Sequence, residues 1–188
     1  MNLAATKQLR DEHEGIKVML RIMGNVCRKT QESGGLHTAH FSAILEFLKV
    51  FVDKCHHAKE EELLFPALEA LGIPGEGGPI GVMLHEHAMG RGFIKAMGET
   101  FSQYAQGEKS AAAVAEIVHN AQEYIALLFN HIEKENTVLF VMAENMLSAT
   151  QQEELYAGFE RIEEDRIGIG KHEEFHELIH TLRDLYPD

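Results

Sequence analysis

Apolar residues return at spacings of three and four along almost the whole chain, and no segment shows the two-residue alternation of a strand. From about Ala4 to Glu32, Leu9, Ile16, Leu20, Met23 and Cys27 make one seam, which predicts a first helix ending at Ser33-Gly34-Gly35. A second helix, about Thr38 to Ala70, carries Phe41, Leu45, Leu48, Val52, Leu63, Ala67 and Leu71 on a stripe, and the glycine- and proline-rich stretch after Leu71 breaks it. Pro79 suits the first turn of a third helix, about Ile80 to Gln106, with Ile80, Leu84, Ile94, Met97 and Phe101 expected inward. After the turn Gly107-Glu108-Lys109, Ser110 reads as the N-cap of a fourth helix, to about Leu147, with Ile117, Tyr124, Leu127, Val138 and Met142 on one face. Ser148 and Gln151 form a capping box for a fifth helix, to about Asp165. Ile167 to Gly170 interrupts it, and a last helix holds His172, His176 and His180 on one side. The fold class is therefore all-α.

Polar residues are set into these seams. His13 lies in the first; His56 and Glu60, four apart and hence stacked on one face, lie in the second; His87 lies in the third; His131 and Glu135 repeat the four-residue spacing in the fourth. Stepping along the helix from His57 instead meets Asp53, Lys54 and Glu61, so His57 and Glu61 are expected on a wet face. His85 points elsewhere than His87, and His37 and His40 sit roughly 24 Å of helix rise from His56. A buried imidazole beside a buried carboxylate is costly unless something pairs with both, and a metal ion is one such partner.

Two internal relationships support that register. The run from His56 to Phe65 matches the run from His131 to Phe140 at histidine, lysine, glutamate, leucine and phenylalanine, 75 residues apart; Glu12-His13 and Glu86-His87 match similarly, 74 apart. In an antiparallel helix pair, residues at one height have the turn midway between them. The midpoint of His13 and His56 falls between Gly34 and Gly35, that of Glu60 and His87 between 73 and 74, and that of His87 and His131 at 109, each inside a turn found on other grounds. An up-down-up-down four-helix bundle over 1–147 would thus bring six residues, His13, His56, Glu60, His87, His131 and Glu135, to one layer. Residues 148–188 are expected as two additional C-terminal helices packed on the same domain.

Composition narrows the partners. Seventeen basic against 30 acidic residues gives a formal charge of −13, which disfavours nucleic acid or an anionic membrane. No apolar run approaches a membrane span and the amino terminus shows no signal-peptide pattern, so a cytoplasmic location is expected. Cys27 and Cys55 lie on separate helices and form no metal or redox motif.

The order His13, His56-x-x-x-Glu60, His87, His131-x-x-x-Glu135, with Leu-Phe following each glutamate by four and five residues, resembles the hemerythrin-like HHE cation-binding domain family. The resemblance spans Leu9 to Phe140. It implies a four-helix bundle holding two non-haem iron ions, oxo- or hydroxo-bridged, with Glu60 and Glu135 bridging and the four histidines capping. Two six-coordinate irons have about twelve positions; these residues would fill about eight and a bridging oxygen two more, leaving about two for O₂, NO, peroxide or a further protein ligand. Oxygen-carrying members place a second histidine one turn along the third helix, where this chain has Met83 and Arg91 beside His87, and end the fourth-helix motif in aspartate rather than glutamate. Candidates for a seventh ligand are Tyr124, His172 and His176. The functional expectation is a protein that binds or senses O₂ or NO, with a di-iron enzyme or iron donor, acting on NO or peroxide or in iron-sulphur cluster repair, as the alternative. A redox partner or homo-oligomer fits either.

Overall fold

The computed structural model describes residues 4–107 and 109–187. Residues 1–3, Glu108 of the expected turn and Asp188 of the expected extension lie outside the described residues. Among those described, the chain is helical throughout, with no strand. Six continuous helices run α1 Ala4–Ser33, α2 38–70, α3 Pro79–Ala105, α4 111–146, α5 Ala149–Arg166 and α6 Lys171–Leu185. The punctuation is that expected from the sequence. Pro79 opens α3, the Ser110 hydroxyl accepts from the Ala113 amide, and Ser148 and Gln151 close a reciprocal capping box. Gly34, with φ of +74°, ends α1 in a left-handed turn that a side chain would strain.

Two helices are not regular. In α2 the stretches Leu48–His57 and Glu60–Leu64 are π-helical, and in α4 so is Glu135–Leu139. Their i→i+5 bonding widens the turn and reduces the rotation between neighbouring residues. All three wide stretches fall on the polar positions of the seam.

The interior is two apolar bodies with that polar layer between them. One gathers Ile16, Leu20, Met23, Phe41, Val52, Ile94, Met97 and Tyr124; the other gathers Leu9, Leu64, Phe65, Ile80, Met83, Leu139 and Phe140. Each of α1 to α4 crosses from one to the other through its histidine. The last two helices cover α1 and α2, with Phe175, Ile179 and Leu182 joining the first body and Leu155 and Phe159 the second.

Two inward assignments fail. Leu84 is 40% exposed, because α3 turns Met83 and His87 inward instead. Val138 is 47% exposed, because it lies in the wide stretch of α4, where a count of three and four no longer tracks one face.

Candidate metal centre

Four imidazoles meet in the polar layer as two facing pairs. His13 Nε2 lies 3.0 Å from His56 Nε2, and His87 Nε2 lies 3.0 Å from His131 Nε2. Each ring is held from behind through Nδ1: His13 by Asn136 Oδ1 at 3.0 Å, His56 by Glu12 at 2.8 Å, His87 by Glu61 at 2.7 Å and His131 by Glu86 at 3.0 Å. All four partners are acceptor oxygens, so the ring protons sit on Nδ1 and the Nε2 lone pairs converge. Bare lone pairs facing one another at 3.0 Å need a positive charge between or beside them.

Two carboxylates complete the layer. Glu60 places one oxygen 3.6 Å from His56 Nε2 and the other 3.5 Å from His87 Nε2. Glu135 places its oxygens 3.2 Å from His13 Nε2 and 3.2 Å from His131 Nε2. Each acid therefore spans both histidine pairs. All four carboxylate oxygens are buried without a hydrogen bond. Burial and the charge of Glu135 raise Glu60 well above the usual carboxylate range, whereas at Glu135 burial is outweighed by His131 and His13, which lower it. Burial pushes His56 down to about 4 against the pull of Glu12; burial of His131 is overcome by Glu135 and Glu86, which lift it to about 9. Without a cation the layer must divide its protons unevenly. With cations the conflict disappears.

The expected wet face of His57 is a correction. His57 is only 3% exposed, its Nδ1 lies 3.7 Å from Asp53, both its ring nitrogens are buried without a hydrogen bond, and its ring lies flat on that of His87. Two features meet here: His57 ends the wide stretch Leu48–His57, and every residue from Cys55 to Glu60 is buried, so α2 is enclosed all round at this level. A straight-helix walk has no means of finding it. With His57 included, the donor atoms fall into two sets, His13, His56, Glu60 and Glu135, and His57, Glu60, His87 and His131, the atoms of each lying within 4.8 Å of one another. Glu60 belongs to both. All six residues expected from the sequence are brought together, and His57 makes a seventh.

Glu61 is corrected as well. It is half-buried, and one oxygen receives bonds from both His87 and Arg91, whose guanidinium also holds Asp53 at 2.7 Å. The candidates for a seventh ligand stand elsewhere. The Tyr124 hydroxyl is buried without a hydrogen bond to any imidazole, and burial pushes its ionisation up. His172 bonds Glu163 at 2.8 Å and stacks on His176, outside both donor sets.

The support behind the layer repeats across the two halves, and the sequence repeat already held the signal for it. Glu12 holds His56 and is bonded by Lys59; Glu86 holds His131 and is bonded by Lys134. The halves differ in cover. Lys59 is fully buried because Glu163 of α5 closes over it at 2.9 Å, while Lys134 stands 40% exposed.

The model of the hemerythrin HHE cation binding domain family matches residues 4–143. The chain belongs to that family. No curated protein and no solved structure matches it. A cation-binding domain is what the layer fits: orphaned buried carboxylates, converging imidazole lone pairs, and donors of the nitrogen and oxygen kind that suit a transition metal.

Proposed function

We propose that this protein is a non-haem di-iron protein that binds or senses O₂ or NO. The ligand set is His13, His56, His57, His87 and His131, with Glu60 and Glu135 bridging. The observation that carries the reading is the double reach of the two glutamates, each with one oxygen toward either histidine pair and neither hydrogen-bonded elsewhere. Two iron ions in this layer would supply one-electron chemistry and positions for a diatomic ligand. The chain's own groups do the rest. Glu12, Glu61, Glu86 and Asn136 fix the rings and raise their donor strength, and the apolar bodies on both sides keep bulk water out. The donors are divided unequally. His57 stands 75 residues before Ile132, so the second half of the repeat has an apolar residue where the first has an imidazole. The set containing His13 and His56 thus has one imidazole fewer than the set containing His87 and His131.

The reading takes 1–147 as an up-down-up-down bundle and 148–188 as an extension packed on it, in a cytoplasmic protein. No helix among the described residues is long and apolar enough to cross a membrane. Anaerobic loading with ferrous iron tests the proposal: two ions per chain and a reversible spectral change with O₂ or NO are expected. A second reading, a di-iron enzyme acting on NO or peroxide, is favoured by the partly buried chain of bonds from His56 through Glu12, Lys59 and Glu163 to His172, which links the layer to the surface. Steady consumption of NO or peroxide with an electron donor would select it.

A further inference from the structure

Four imidazoles of the metal layer are held from behind, but not by the same kind of group. His56, His87 and His131 each give the Nδ1 proton to a glutamate, whereas His13 gives its proton to the side-chain oxygen of Asn136. The repeat isolates this exception. Asn136 follows the bridging Glu135 as Glu61 follows Glu60, 75 residues earlier, and each reaches across to the histidine of the other hairpin's first helix.

An arginine joins each pair. One Glu61 oxygen takes both His87 and Arg91, and the Asn136 oxygen takes both His13 and Arg10, the latter at 3.3 Å. Each guanidinium also holds a further acid, Asp53 at 2.7 Å from Arg91 and Glu144 at 3.0 Å from Arg10. A guanidinium only donates, so Arg10 fixes the shared Asn136 atom as the oxygen, and the amide cannot serve His13 with its nitrogen. The two surroundings thus match in plan and differ by one unit of charge: Glu61 and Asp53 outweigh Arg91, whereas Glu144 alone balances Arg10. Hydrogen bonds to an ionised acceptor are roughly twice as strong as those to a neutral one, and a carboxylate behind a metal-binding imidazole raises its donor strength.

We propose that Asn136 is a positioning residue that aligns His13 while keeping it the weakest donor of these four, and so lowers the affinity of the metal position that His13 serves. His57, without a hydrogen bond, belongs to the other donor set and does not offset this. The proposal rests on the reading of the layer as two metal positions, not on the identity of the metal. It concerns how tightly a position holds its ion, not how quickly an ion reaches it.

Withdrawal of zinc from the loaded full chain by a graded series of chelators tests it; zinc has no redox chemistry, so affinity alone is read. Asn136→Asp keeps the shape and supplies the missing charge. Two zinc ions per chain are expected, with one of the two steps tightened by about 10–100-fold in Asn136→Asp and the other unchanged. A merely structural role for Asn136 gives no such gain. Glu61→Gln, the reverse exchange, should loosen the other step by a comparable factor. In proton NMR of the zinc-loaded chain, a single ring N–H resonance should move downfield in Asn136→Asp. Unchanged or lower affinity in folded Asn136→Asp overturns the proposal and leaves the two-ion reading standing; fewer than two zinc ions in the unaltered protein overturns both. Circular dichroism verifies each fold, and if Asn136→Asp does not fold, Glu61→Gln decides: loss confined to one step supports the proposal, and loss in both or in neither overturns it.

Discussion

His57 lies face to face with His87, ring centroids 3.8 Å apart and planes 17° from parallel, although it follows His56 directly in sequence. Two adjacent residues thus serve different donor sets. His57→Ile copies the residue 75 positions later and should keep the fold while tight metal uptake drops from two ions per chain to one. Metal analysis after dialysis against a competing chelator measures this. Two retained ions would remove His57 from the ligand set.

Glu60 and Glu61 differ in the kind of loss they should produce. Glu60 enters both donor sets, so Glu60→Ala should abolish uptake of the pair. Glu61 only orients His87, so Glu61→Ala should leave the count at two and weaken affinity by about 10–100-fold. Equal loss of stoichiometry in both would contradict the geometry described.

The two equivalent lysines offer a comparison within one molecule. Lys59→Met leaves Glu12 buried and short of a partner and should cost about 3–5 kcal/mol. Lys134→Met removes an exposed pairing and should cost under about 1 kcal/mol. Urea unfolding of metal-free protein reads both.

Acid and alkali should each weaken the Glu163–His172 pair. Bonds from His172 and Lys59 hold Glu163 at about 2, below its ordinary 4.5, so its contribution is present above 4.5 and is lost as pH falls toward 2. His172 is raised above 6.5, so its contribution is full below 6.5 and is lost as pH climbs through the raised value. The pair is therefore most effective between about pH 4.5 and 6.5. Glu163→Gln should flatten that part of the stability profile, measured as urea midpoint against pH; an unchanged profile would refute the pairing.

Much of this was legible in the sequence because seam, repeat and turns constrain one another. His13, His56, Glu60, His87, His131 and Glu135 could be set at one height from residue counts alone, and Ser110, Ser148 and Pro79 begin helices as their chemistry requires. What escaped has one main cause. Counting by three and four assumes a uniform coil, and the coil widens at Leu48–His57, Glu60–Leu64 and Glu135–Leu139, so such a count turns His57 outward and Val138 inward. The roles of Glu12 and Glu86 were within reach, since their match across the repeat was visible but their partners were not. Burial of Lys59 depends on α5, whose packing no local pattern specifies.

The unequal cover of the two lysines also sets a direction of traffic. Behind His56, Glu12 and Lys59 are buried beneath Glu163 of α5; behind His131, Lys134 is 40% exposed and Glu86 13%. A cation entering or leaving the layer would meet less cover behind His131 than behind His56, so exchange should be faster on that side.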